Sequence, residues 1–164
     1  MTDKFFEFIE DNLRFNFVGV KSAEKFDAKG KRLPQGIEPV DFVVEGDDCF
    51  WLIEVKGGKK GFASDKLDEA SINNIFVPKA RDTYTCLHLM ERDNKPFKYI
   101  VVLDDFEFHY SDYPKLEQMK DRLCERLACE LDTPWKRQYI KDAFIVGASK
   151  AASYLPFCQV ERKT

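Results

Sequence analysis

Two apolar runs, Val40 to Glu45 and Cys49 to Lys56, are separated by Gly46-Asp47-Asp48, and this pattern constrains the chain more than any other. β-branched and aromatic residues bounded by Gly and Asp predict two strands joined as a hairpin. Side chains alternate faces along a strand, so Glu54 and Lys56 point one way while Ile53 and Val55 point into the opposite layer. The second run is otherwise apolar through Phe50, Trp51, Leu52, Ile53 and Val55. A carboxylate and an ammonium at its end are costly to bury unless they are paired or bind an ion.

Counting across the turn places a third group. If Asp47-Asp48 form a two-residue turn, Gly46 pairs with Cys49 and Asp41 falls directly opposite Glu54, their Cβ atoms roughly 5 Å apart on one face. If Gly46-Asp47 form the turn, Asp41 faces Leu52 and lies diagonal to Glu54, still on one face at roughly 7 to 8 Å. A three-residue loop breaks that parity unless a bulge restores it. Two carboxylates beside an ammonium suit a hard divalent cation, Mg²⁺ or Mn²⁺, bound through oxygen. Asp41 and Glu54 are the candidate ligands, with the Val55 carbonyl a candidate third. A cation there would polarise a phosphate ester and acidify its water, while Lys56 would orient that nucleophile or offset transition-state charge.

The flanking sequence supplies the rest of an α/β or α+β sandwich, and 164 residues suit one domain. Phe5, Phe6, Ile9 and Leu13 stand at helical spacing and predict an amphipathic helix over Lys4 to Arg14. A strand is expected within Asn16 to Phe26, then a turn at 27–31 and irregular chain past Pro34, Gly36 and Pro39. Lys79 to Arg92 reads as a helix with Pro78 near its start, Lys98 to Leu103 as a buried strand, and Phe106 to Tyr110 as a short strand. Leu116, Met119, Leu123, Leu127 and Leu131 define a helix from Pro114 to Leu131, with Asp112 as N-cap. Ala143 to Gly147 and Phe157 to Glu161 complete a C-terminal extension as strands.

Charge and composition exclude several classes. A net charge of −3 argues against an autonomous tight grip on duplex DNA, although Lys56, Lys59, Lys60 and Lys66 crowd one short stretch. The chain has no apolar run near the roughly 20 residues of a membrane span, and it opens without a signal-peptide pattern. Cys49, Cys86, Cys124, Cys129 and Cys158 are odd in number and widely spaced, as expected of reduced thiols in the cytoplasm rather than a disulfide framework or zinc site. His88 and His109 have no metal-ligand spacing around them and read as structural. Gly57-Gly58-Lys59-Lys60-Gly61 lacks the spacing and the Ser/Thr of a nucleotide-binding loop.

Pro39-Val40-Asp41 followed by Ile53-Glu54-Val55-Lys56-Gly57 resembles the bipartite signature of the PD-(D/E)xK nuclease superfamily. The resemblance covers about two-thirds of the chain. It implies a restriction-endonuclease-like αβββαβ core, a central mixed sheet flanked by helices, and metal-dependent phosphodiester hydrolysis in nucleic acid, DNA favoured over RNA. Several members place an acid on the first helix; here Glu10 is favoured over Glu7, with Glu24 in reserve. Lys59, Lys60, Lys79 and Arg81 become candidates for holding the phosphate backbone. Two departures stand out: the proline precedes Asp41 by two positions, and the helix bearing Lys79, Arg81 and Tyr84 lacks the glutamine of the RecB-like subgroup. The small, mildly acidic chain is expected to act as a homodimer or beside a partner protein. The alternative is a non-catalytic nuclease-fold module that binds or regulates with a partner.

Overall fold

The computed structural model describes residues 4–28, 33–57, 69–106, 108–130 and 133–163. Its centre is a mixed five-stranded sheet built from β3 (Ser22–Lys25), β4 (Phe42–Glu45), β5 (Phe50–Lys56), β6 (Phe97–Leu103) and β9 (Asp142–Gly147), adjacent in that order. β3, β4 and β5 form an antiparallel meander, and β6 and β9 continue from β5 in parallel. The chain between β5 and β6 crosses over through a helix, as a parallel pair requires. α1 (Glu69–Ser71) runs through a π-helical segment (Ile72–Phe76) into α2 (Val77–Leu89). The widening lies just before Pro78, which has no N–H to give the carbonyl four residues back. This helix therefore starts well before the expected Lys79 and has Pro78 inside it.

The predicted hairpin is present, and its register follows the first of the two counts. Gly46 donates from its N–H to the Cys49 carbonyl at 3.0 Å, and Phe42 pairs with Ile53. One step further along the same register sets Asp41 against Glu54.

The two faces of the sheet are covered differently. Phe50, Leu52, Tyr99, Val101 and Ile145 pack under α2 and α3 (Tyr113–Ala128), which contributes Leu116, Met119, Leu123 and Leu127. Leu131, expected to extend that stripe, lies outside the described residues. Trp51, Ile53, Val55, Ile100 and Val102 face the other way. That face is not covered by a helix as expected. A second sheet lies there, with β2 (Leu13–Val18) between β1 (Phe5–Glu10) and β10 (Cys158–Arg162), beside the short α4 (Ala151–Tyr154).

The N-terminal helix reading is overturned by alternation. Phe6, Phe8 and Glu10 on β1, and Leu13, Phe15 and Phe17 on β2, turn to the interior, while Phe5, Glu7 and Ile9 are exposed. Glu10 pairs with Leu13 across a two-residue turn, with Asp11 at φ 53°, a conformation that Asp tolerates better than most residues. Phe8 and Phe15 pack against Phe42, ring centroids 5.4 and 5.1 Å apart. Five apolar positions of this stretch satisfy a period of two, and the aromatic cluster they form with Phe42 selects it. The strand expected over Asn16 to Phe26 is correspondingly split between β2 and β3, which belong to different sheets.

Two further expectations fail locally. Phe106 to Tyr110 is not a strand: the Asp104 carboxylate accepts the Phe106 N–H and the Asp105 carbonyl the Phe108 N–H, curling the chain into a turn that leads to a 3₁₀ segment, Tyr110–Asp112. Asp112 makes no side-chain cap to α3. Its carboxylate accepts the His109 N–H at 2.8 Å and closes that preceding turn instead. Among the described residues, no helix is long and apolar enough to cross a membrane, and all five cysteines are free thiols.

Candidate active site

The antiparallel ladder between β4 and β5 stops at Phe42 and Ile53, and what replaces it builds the site. The N–H of Val55 donates to Oδ2 of Asp41 at 2.7 Å. Val40, whose N–H is released from pairing, donates to Oγ1 of Thr83 on α2 at 2.9 Å. Asp41 is thereby fixed between the hairpin and the helix. The expected third ligand, Val55, meets Asp41 through its N–H. On the other flank, Phe26 donates to the Asp41 carbonyl at 2.7 Å, which carries β3 onward and brings Asp27 beside Asp41. Carboxylate oxygens of Glu10, Asp27 and Asp41 lie within 4.8 Å of one another.

Glu54 is fully buried on β5, and Asp41 is 4% exposed. Two ammonium groups meet Glu54 Oε1, Lys56 Nζ at 3.0 Å and Lys79 Nζ at 3.0 Å. These two ion pairs converge on Oε1, while among the described residues Oε2 has no hydrogen-bond partner. Close by is the phenol of Tyr99, fully buried on β6 and likewise without a hydrogen-bond partner. Lys25, the last residue of β3, holds Glu10 at 2.7 Å.

Crowding of like charge in a dry site sets the protonation states. Burial, with the Glu54 charge second, pushes the Asp41 carboxyl up to about 9, against the Val55 hydrogen bond that favours its ionised form. Burial works against the Lys79 ammonium, but the Glu54 carboxylate outweighs it and the pKa is raised. The hydrogen bond from Lys25 to Glu10 raises the lysine in the same way. Burial raises Tyr99 well above the ordinary phenol value, with Glu54 and Asp41 adding to it. The cluster thus stores a proton on Asp41 and holds its cations charged.

The sequence-predicted residues divide into three groups. Asp41, Glu54, Lys56 and Glu10 come together, with Glu10 delivered by the end of a strand instead of a helix. Glu7 is on the outer face of β1, and Glu24 forms an ion pair with Arg92. Lys79, expected to face phosphate, is inside the carboxylate cluster, while Arg81 is on the helix surface beside Asp82. Lys59 and Lys60 lie outside the described residues. Asp27, Lys25 and Tyr99 were missed. Asp27 sat in what reads as a polar turn, and only the strand pairing of Phe26 with Asp41 reveals its place. His88 binds Asp93 and stacks on Tyr84, a structural role.

The cluster's chemistry is that of an oxygen-rich cradle. Oxygens around one Mg²⁺ at about 2.1 Å lie about 3.0 Å apart in cis and about 4.2 Å apart in trans, so the Glu10, Asp27 and Asp41 oxygens, within 4.8 Å of one another, would have to draw closer together to share an ion. Buried Glu54, beside this cluster, is instead paired with the Lys56 and Lys79 ammonium groups. Comparison of the chain with family models, curated proteins and solved structures finds no match.

Proposed function

We propose that the chain is a Mg²⁺- or Mn²⁺-dependent nuclease of the PD-(D/E)xK type, hydrolysing phosphodiester bonds in nucleic acid, with DNA the first substrate to test. The observation that carries this reading is the register that sets buried Asp41 opposite buried Glu54 beside Lys56. The meander β3–β4–β5, the crossover helix and parallel β6 support a restriction-endonuclease-like core, with a β-hairpin in place of the leading helix. The cytoplasm fits the free thiols.

Asp41, Glu10 and Asp27 would hold the cation with Glu54 at its edge, and the bound ion would polarise the scissile phosphate and acidify a water. Holding a cation would require Asp41 to be ionised. Lys56 orients the attacking water and offsets charge developing on the phosphoryl oxygens. Lys79 pairs with Glu54 and fixes its carboxylate. A homodimer or a partner protein would supply the grip on substrate that a chain of net charge −3 lacks.

Incubation with single-stranded, duplex and branched DNA and with RNA, in Mn²⁺ and in chelator, tests the proposal. Metal-dependent cutting abolished by Asp41→Ala and by Lys56→Ala is the expected result. No cutting of any substrate, or cutting unchanged in both variants, would instead favour a non-catalytic module of the same fold.

A further inference from the structure

The segment 135–141 reads Trp-Lys-Arg-Gln-Tyr-Ile-Lys, two aromatics and three cations in seven residues. It is tied down at both ends. Trp135 donates from its N–H to the Ala128 carbonyl at 3.0 Å, and Lys141 to the Phe97 carbonyl at 2.7 Å. Between these anchors the strap separates two open cavities of about 280 and 320 Å³ that share Tyr139 as a common wall.

The first cavity is walled by Arg81 and Arg126, from α2 and the end of α3, and by Trp135. The second is walled by Arg137, Lys141 and Lys95, with Tyr84 packed 5.2 Å from Tyr139, centroid to centroid. Among the described residues, five cations and one carboxylate, Asp93, line the two cavities. For a protein whose net charge is −3, that is a concentrated reversal of sign. Asp93 is engaged with His88, and Lys95 with Glu45. The Arg126–Glu69 and Arg81–Asp82 pairs are at the surface, where such pairs are worth little and exchange readily.

Trp135 is 45% exposed, whereas the other tryptophan, Trp51, is buried. Cations flanking an exposed indole match the chemistry of a single strand. Bases stack on aromatic faces and phosphates meet guanidinium and ammonium groups. A duplex keeps its base faces covered and an acidic peptide has no flat ring to present, so neither uses Trp135.

We propose that this strap and its two cavities bind single-stranded nucleic acid, a base stacking on Trp135, with phosphates held by Arg81 and Arg126 on one side of Tyr139 and by Arg137 and Lys141 on the other. The inference goes beyond the carboxylate cluster and stands whether or not that cluster cleaves.

Binding of fluorescein-labelled oligo(dT) and oligo(U) is measured by anisotropy in EDTA, so that cleavage plays no part, with labelled duplex DNA and poly-glutamate as competitors. Trp135→Ala is expected to weaken binding at least about fivefold, the loss of one stacked base. Each double variant, R81A/R126A and R137A/K141A, should weaken it further and reduce the salt dependence. Unchanged melting temperatures show that these surface variants are folded, and Trp135→Phe, which keeps a ring, should retain most of the affinity. The DNA and RNA arms tell which sugar is preferred. The proposal is overturned by absence of binding to both oligonucleotides at low salt, by affinity unaffected in Trp135→Ala and both double variants, or by duplex or poly-glutamate competing as well as the single strand.

Discussion

Two buried acidic sites of this molecule differ in what surrounds them. Asp105, at the end of β6, accepts hydrogen bonds from the Ser149 N–H at 3.1 Å, the Tyr113 hydroxyl at 2.9 Å and the Ser149 hydroxyl. Neutral donors satisfy it, and it ties the chain after β9 to the start of α3. At the end of the neighbouring strand β5, Glu54 is held by two ammonium groups at ion-pair distance and faces a second carboxylate, Asp41, that burial keeps protonated. Burial of an acid is therefore uninformative by itself. An acid held by neutral donors anchors chain segments, whereas acids crowded together with lysines form a charged cluster whose protonation states depend on one another.

The contrast can be broken by substitution. Under the proposed nuclease activity, removing Asp41 or Lys56 should lower cleavage by more than about a hundredfold, while Asp105→Asn should leave the rate of the folded protein unchanged. Equal losses in the two sites, read from initial rates on one substrate, would erase the distinction. Mn²⁺ at a hundred times its dissociation constant should stabilise the wild-type protein by about 2.7 kcal/mol and do the same for Asp105→Asn. It should do nothing for Asp41→Asn, and calorimetric melts with and without the ion check this. Without metal the order of damage reverses. Asp105→Ala leaves donors unpaired and should cost about 1 to 3 kcal/mol in denaturant unfolding. Gly147→Ala, whose new Cβ would overlap the Asp105 carboxylate, should cost a similar amount.

The pH dependence separates the two sites by a different route. The folded protein holds a proton on Asp41 up to about 9, whereas the unfolded carboxyl releases it near its ordinary value of 3.8. The folded state binds more protons in that window, so this contribution to stability is complete below about 4 and is lost as pH rises towards 9. Metal-free protein should accordingly become easier to unfold by urea as pH climbs from 5 to 9. Asp41→Asn should flatten the slope, and Asp105→Asn should keep it.

The hairpin was legible because its register depends only on counting across Asp47-Asp48, and the parity of strands then fixes which side chains share a face. α3 was legible because four of its leucine and methionine positions fit a single helical stripe. The N-terminal segment was not, since Phe5, Phe6, Ile9 and Leu13 fit a helix locally, and the contacts that favour β1 and β2 come from Phe42, far along the chain. Asp27 was hidden for the same reason: its place depends on Phe26 bonding to Asp41, a pairing across fifteen positions with no local signature. β10 reads as a strand, but nothing in its sequence tells that it pairs with β2 instead of the central sheet. Asp105 looked like one of two acids in a loop, and its role depends on Ser149 and Tyr113 converging on it.

Anomalous diffraction from a crystal soaked in Mn²⁺ examines the central claim most directly. One strong peak is expected among the carboxylate oxygens of Asp41, Glu10 and Asp27, at the edge of Glu54, and none at Asp105. A soaked crystal with no peak in that cradle, or with an equal peak at Asp105, would contradict the account.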